Sequence, residues 1–215
     1  MSVPDSLRQR VLAAAAANPS ATRASVKRRG AILIVASIAL ALGAFEAAGG
    51  LEHAAGRPLG ITLAIVAGIV CGAVALTWLS VLRGGSTLHR TPRLLLGGVL
   101  VAPVALFVWM HLFAGRYVEP FSRLGLRCFL FTFGVSLLPL LGFLVLRRRM
   151  EPRRPGMLGA GVGAACGAWS AGLVDLWCPL TNPLHVLIGH VAPLLALIVI
   201  GALFGSRLLV PRADR

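Results

Sequence analysis

Two of the four cysteines, Cys128 and Cys178, are candidates for thiol chemistry, either metal binding or disulfide formation. Arg127 adjoins Cys128 and favours its thiolate, the form that attacks disulfides and binds metals. No two cysteines have CxxC spacing, which disfavours a structural zinc ribbon or a thioredoxin-type motif. If Cys128 and Cys178 are neighbours in the fold, a disulfide between them requires Cα atoms about 5.5 Å apart.

Asp175, His185 and His190 are candidate accessory metal ligands near Cys178. Thiolate, imidazole and carboxylate together suit a zinc-, cadmium- or copper-like ion. His185 and His190, however, are five residues apart, which on an α-helix separates them by roughly 140°. Both cannot then face one ion unless the helix is distorted. A redox- or metal-responsive cysteine pair and two unrelated thiols are alternatives at this point, and the candidate ion is a transient one rather than a required cofactor.

The remaining nucleophiles indicate no catalytic chemistry. Cys71 and Cys166 fall in the middle of apolar runs, where a cysteine is most simply a small buried hydrophobe. Ser136 and Ser170 have no base at a suitable depth, and the chain has no HExxH, P-loop or GxSxG motif. The sequence does not predict an enzyme.

The elements that must position these residues are apolar. Hydrophobic residues make up 57% of the chain and charged residues only 13%, about half the charged fraction of a soluble domain. A bilayer span needs about 20 apolar residues. The sequence therefore predicts an all-α bundle of six transmembrane helices, over residues 31–48, 59–82, 94–113, 124–146, 157–176 and 184–204.

Basic residues lie between these runs and predict the orientation. With the N-terminus inside, 17 of the 21 lysines and arginines fall on the cytoplasmic side and four outside, as the positive-inside rule requires. The main topology determinants are two clusters, Lys27, Arg28 and Arg29 before the first span, and Arg147, Arg148 and Arg149 after the fourth. We predict an inner-membrane protein with both termini in the cytoplasm and with Cys128 and Cys178 in the oxidising periplasmic layer.

Three segments follow from this topology: a basic head of residues 1–30, a membrane domain of residues 31–206, and a short tail of residues 207–215. The head is predicted to form a helix through Ala17 and then a tether, too small to hold a core. It can act by folding onto a partner. The candidate partner-binding residues are Leu7, Arg8, Val11 and Leu12. Direct nucleic-acid binding is not predicted, because the basic residues are not interleaved with exposed aromatics.

Small residues predict how the spans pack. Gly159, Gly163 and Gly167 recur every four residues in the fifth span, and Gly68 and Gly72 do so in the second. Such spacing lets helix backbones approach closely in a membrane, so we expect the fifth span at the centre. Asp175 and Glu46 lie near the outer ends of spans, where they are expected to stay hydrated. No carboxylate is expected at mid-membrane, which disfavours a proton-coupled transporter.

The stretch from Gly125 to Leu208 resembles the membrane-bound anti-sigma factors typified by NrsF, the negative regulator of sigma F. The resemblance rests on Arg127-Cys128 opening a leucine-rich span, an arginine-rich turn, a small-residue span, and then Trp177-Cys178-Pro179 before a final span. Two departures are Trp177, where a histidine or similar polar residue is expected, and a head without a recognisable sigma-binding signature.

That resemblance implies six spans and a cytoplasmic N-terminal segment that holds an extracytoplasmic-function sigma factor at the membrane. It also implies a periplasmic cysteine pair, Cys128 and Cys178, whose reaction with a heavy metal or an oxidant releases the partner. The alternatives are a small multipass permease and a structural membrane subunit. A permease would need a polar path across the bilayer, and a subunit would use the glycine faces for an intermolecular contact.

Overall fold

The computed structural model describes residues 5–17, 23–50, 58–77, 92–113, 125–148, 154–178 and 182–209, and this part of the chain contains helices without strands. The helices are α1 (Asp5–Ala17), α2 (Arg23–Ala47), α3 (Leu59–Thr77), α4 (Pro92–Phe113), α5 (Leu126–Arg147) and α6 (Pro155–Trp177). A last apolar segment consists of α7 (Pro183–Val186), a π turn (Leu187–Val191) and α8 (Ala192–Leu208). The predicted all-α class is confirmed.

Four helical segments are long and apolar enough to cross a membrane, rather than the six predicted: Ala24–Ala47, Leu126–Arg147, Pro155–Trp177 and Pro183–Leu208. The second and third predicted spans coincide with α3 and α4, whose apolar segments within the described residues are shorter, Leu59–Gly72 and Leu96–Leu112. Residues 78–82 of the predicted second span lie outside the described residues.

Helix α6 is the centre of the bundle, as its small residues predict. Within the apolar windows, 78% of α6 is buried but only 22% of α2. Its glycine face packs antiparallel on α8, with Gly159 against Gly201 and Gly205 at one end and Gly167 against Leu194 nearer the other. A Cβ on Gly205 would lie 2.9 Å from the Cα of Gly159, so this approach requires glycine.

On the other side of α6, α3 makes a similar close contact. A Cβ on Gly72 would come within 3.3 Å of the backbone of Trp169. Gly68 has open space instead, so only one of the two glycines predicted for packing in this span is used. Cys71, on the same helix, is exposed rather than buried as predicted, whereas Cys166 is buried in α6.

Two expectations about the basic clusters are wrong in detail. Helix α2 begins at Arg23, so Lys27, Arg28 and Arg29 lie exposed on its first turns rather than in a tether. Arg147 is the last residue of α5 and only 2% exposed, because it packs inside the end of the bundle instead of lying in a solvated loop. Arg148 is exposed as expected, and Arg149 lies outside the described residues.

Candidate metal and redox site

Four side chains that could hold a metal ion meet at one end of the bundle: Cys128, Cys178, His185 and His190. Cys128 lies in the first turn of α5, and Cys178 directly follows α6. His185 lies in α7 and His190 in the π turn. The site therefore joins three membrane segments at the end opposite the arginine-rich connection between α5 and α6.

The four side chains are close and buried. One ligand atom from each lies within 4.8 Å of the other three. The Nε2 atom of His185 is 3.3 Å from Sγ of Cys178 and 3.5 Å from Sγ of Cys128. The exposed fraction ranges from 6% for His185 to zero for His190. The two thiols are not joined by a disulfide in this structure.

Glycine brings α5 against the π turn. Gly125 precedes α5 with φ of 76°, a left-handed conformation that side chains other than glycine rarely adopt. A Cβ on Gly125 would lie 2.9 Å from the carbonyl oxygen of His185, and one on Gly189 would lie 3.1 Å from the Cβ of Cys128. Because both positions lack a side chain, Cys128 reaches the histidines.

The π turn brings His190 to the same face as His185, and it is the helix distortion that the two residues need in order to face one ion. The backbone N–H of Ala192 donates to the carbonyl of Leu187, five residues back. A π turn holds more residues per turn than an α-helix, so residues five apart are less splayed around the helix axis. The ring centroids of His185 and His190 are accordingly 5.6 Å apart.

Pro193 explains why the helix is wide at this point. Proline has no N–H, and in a regular α-helix its ring clashes with the carbonyl four residues back, here that of Gly189. The extra residue of the π turn relieves the clash, because it moves the carbonyl of Gly189 away from the proline ring. A proline soon after the second histidine was the sequence signal for this geometry, and the assumption of regular α-helical spacing missed it.

The surroundings favour a thiolate and a ligand. Hydrogen bonding with Cys128, and secondarily with His185, holds the pKa of the Cys178 thiol well below its ordinary value despite the opposing effect of burial. Within the described part of the chain, neither ring nitrogen of His190 has a hydrogen-bond partner, although the side chain is fully buried. Buried polar atoms of this kind are rare and mark a site that holds something else.

Two aromatic side chains enclose the thiols, and of these the sequence analysis noted only Trp177, as a departure from the family pattern. Phe131 and Trp177 pack against Cys128 and Cys178, and their rings stack with centroids 6.0 Å apart. The indole N–H of Trp177 donates to the carbonyl of Ala48 over 2.9 Å, which ties the end of α6 to the end of α2. Trp177, where the sequence departs from the family pattern, thus packs against the thiols and forms one side of the site.

Asp175 lies outside the four-residue group, within the part of the chain that the structure describes. Its carboxylate accepts a hydrogen bond from the indole N–H of Trp109 over 2.9 Å, and the side chain is 2% exposed. The expectation that Asp175 stays hydrated is therefore wrong, because α4 covers it. Glu46, by contrast, is exposed as expected.

Among the described residues, the other candidate residues are not part of this cluster. Arg8 and Leu12 are exposed on α1, and Leu7 and Val11 belong to the same helix. His111 is exposed and its ring stacks on Phe107, with centroids 6.1 Å apart. The two remaining histidines, at positions 53 and 89, lie outside the described residues.

Comparison with known proteins gives one family. A family model described as "Negative regulator of sigma F" (NrsF) matches residues 12–210. The match extends the resemblance seen over the second half to nearly the whole chain and includes all four residues of the site. No curated protein matches, and no solved structure matches either.

Proposed function

The chain belongs to the NrsF family, and from this premise we propose that it is a membrane-bound anti-sigma factor controlled by the thiols of its candidate site. The family description names a negative regulator of sigma F. The observation that carries the sensing part is the buried cluster of two cysteines and two histidines at one end of the helices.

We propose an inner-membrane orientation with both termini in the cytoplasm and the site toward the periplasm. The basic residues support this orientation, since the site lies at the end of α5 and α6 away from Arg147 and Arg148. A 23-residue helix such as α6 is roughly 34 Å long, enough to separate the signal from the partner by a bilayer.

The partner is proposed to be an extracytoplasmic-function sigma factor bound by residues 1–30, with α1 as the docking element. Among the described residues, no other element packs extensively on helix α1, and Arg8, Leu12 and Ala16 are exposed. Its 13 residues are marginal as an isolated helix, so a partner surface would stabilise it. Nucleic acid is not required for this role.

The signal is proposed to be a heavy-metal ion or an oxidant that reacts with Cys128 and Cys178. With hydrogen peroxide, the two thiols lose two electrons and two protons, an S–S bond forms, and the peroxide takes up both electrons and both protons as its O–O bond breaks to give two waters. Either event repacks α5, α6 and the last segment, which the site joins. To change the bound fraction from 1:99 to 99:1, the signal must favour the released state by about 5.5 kcal/mol.

Co-purification tests this proposal. The tagged full chain, extracted gently from its native host, is expected to bring one sigma factor with it, and deletion of residues 1–17 is expected to abolish the partner while α2 and the rest of the bundle remain. The exposed-surface variant Gly134→Ala in α5, where a Cβ meets nothing within 4 Å, serves as a control that keeps the partner. A sigma factor retained after the deletion, or only membrane proteins recovered by the full chain, would contradict the proposal.

A further inference from the structure

We propose that Cys128, Cys178, His185 and His190 together form one closed four-ligand site for a single zinc-class cation, with His190 as the fourth ligand. The inference deepens the sensing part of the proposed function, which needs the two cysteines alone. It assigns to both histidines a direct bond to the ion. The class of ligand is a borderline or soft divalent cation, Zn²⁺ or Cd²⁺.

The distances match a tetrahedral site. Zinc binds sulfur at about 2.3 Å and imidazole nitrogen at about 2.0 Å, so tetrahedral sulfur and nitrogen ligands lie about 3.6 Å apart. The Nε2 atom of His185 is 3.3 Å from one sulfur and 3.5 Å from the other. An ion in the space between these atoms replaces two weak hydrogen bonds by metal bonds, with small movements of the side chains.

His190 supplies independent evidence for an ion. It is fully buried, its ligand nitrogen lies within 4.8 Å of the other three ligand atoms, and its ring nitrogens have no hydrogen-bond partner among the described residues. A core histidine that serves only packing would have its nitrogens satisfied by carbonyls or hydroxyls. A metal bond satisfies one of them.

The donor set selects the cation. Two thiols and two imidazoles are ligands for zinc-like ions, whereas magnesium and calcium require oxygen ligands. Phe131 and Trp177 pack beside the sulfurs, and all four ligand side chains are buried, so four protein ligands can complete a tetrahedral shell. A closed four-ligand site is structural or regulatory rather than catalytic, in agreement with a family of regulators.

Cobalt titration of the full chain in detergent, with its thiols kept reduced by a phosphine, is the direct test. Co²⁺ in a site of two sulfurs and two nitrogens gives intense visible absorption and thiolate charge-transfer bands. We expect one Co²⁺ per chain, displaced by Zn²⁺ or Cd²⁺ but not by Mg²⁺. His190→Gln is expected to weaken binding by at least about 100-fold, since even groups that only orient ligands contribute 10- to 100-fold. His111→Gln, at an exposed histidine, is the matched control.

A second variant covers the case in which His190→Gln fails to fold. His190→Cys keeps a soft ligand and is expected to bind Co²⁺ with a stronger charge-transfer band, because a third thiolate joins the site. The inference is overturned if the wild type shows no tetrahedral spectrum, or if both variants bind Co²⁺ with the affinity and spectrum of the wild type. Because no sigma factor is present, loss of cobalt binding would leave the anti-sigma proposal intact, and loss of the partner in co-purification would leave the metal site intact.

Discussion

Helices α5 and α6 contribute to two buried polar groups, and the two differ in whether they are complete. In the middle of the bundle, Ser136 donates to the carbonyl of Cys166 over 3.0 Å and forms a short hydrogen bond with Ser170. At the end of the same helices, His190 is equally buried and its nitrogens have no such partner in the described part of the chain. We call a buried polar group satisfied when its atoms are hydrogen-bonded within the protein, and such a group holds helices together. We call it incomplete when they are not, and we assign such a group to a ligand.

The largest expected effect comes from removing the thiols of the incomplete group. The double variant Cys128→Ser, Cys178→Ser is expected to lose zinc-class binding by more than about 100-fold, because two of four ligands are gone. In cells, transcription from the sigma-dependent promoters should no longer respond to cadmium or peroxide. Cys71→Ser, which changes an exposed cysteine on α3, should respond normally. A normal response from the double variant would remove the cysteines from the mechanism.

The next effect concerns the contact between α6 and α8, where glycines of the two helices lie against each other's backbone. Gly159→Ala puts a Cβ against the backbone of Gly201 and 2.9 Å from the Cα of Gly205. Overpacking of this kind costs about 1–3 kcal/mol, which unfolding in mixed detergent micelles can measure. Gly134→Ala meets open space and should be close to neutral. Equal stability of the two variants would show that α6 and α8 do not rely on this approach.

A smaller effect is expected from Pro193, which touches the site only through the helix that holds it. Pro193→Ala restores an N–H and removes the ring clash, so the turn can return to α-helical spacing with the two histidines splayed. If that register becomes about tenfold preferred, the apparent affinity for Co²⁺ falls about tenfold. The number of ions per chain should stay at one. Unchanged affinity would mean that contacts with α5, rather than the proline, maintain the π turn.

Asp175 is a buried carboxylate that accepts a hydrogen bond from Trp109. It can belong either to the satisfied groups, which hold helices together, or to the incomplete groups, which bind a ligand. We place it in the satisfied class, since it joins α4 to α6 over 2.9 Å. A double-mutant cycle of Trp109→Phe and Asp175→Leu is expected to give a coupling of about 1 kcal/mol in stability. Cobalt binding should change little. A large loss of affinity in Asp175→Leu alone would instead make Asp175 part of the metal site.

How much of this could be predicted from the sequence depends on how local each feature is. Apolar runs predicted the long helices, and the glycine spacing predicted the central place of α6. Each of these patterns is a property of one segment. The common layer of Cys128 and Cys178 left their approach as one of two alternatives, because a shared depth does not tell whether two helices are neighbours. His190 was predicted as a candidate ligand, but the π turn that brings it beside His185 was not, because 3.6 residues per turn were assumed although Pro193 follows closely.

The burial of polar side chains was also predicted incorrectly from the sequence. Whether Asp175 or Arg147 is covered depends on neighbours from other helices, which a single segment does not reveal. The count of spans was also too high against the described structure, where four segments are long enough. Hydropathy measures how apolar a segment is, but not how its helix begins and ends.

The smallest effect should come from the serine pair, and its small size is what defines the satisfied class. Ser170→Ala removes one hydroxyl but leaves Ser136 its bond to the Cys166 carbonyl, so no buried donor is stranded. Side-chain hydrogen bonds between membrane helices contribute about 0.6 kcal/mol on average, and a loss of that order is expected in detergent unfolding. Cobalt affinity and retention of the partner should match the wild type. A change in either would link the middle of the bundle to the site and remove the division between packing and sensing along α5 and α6.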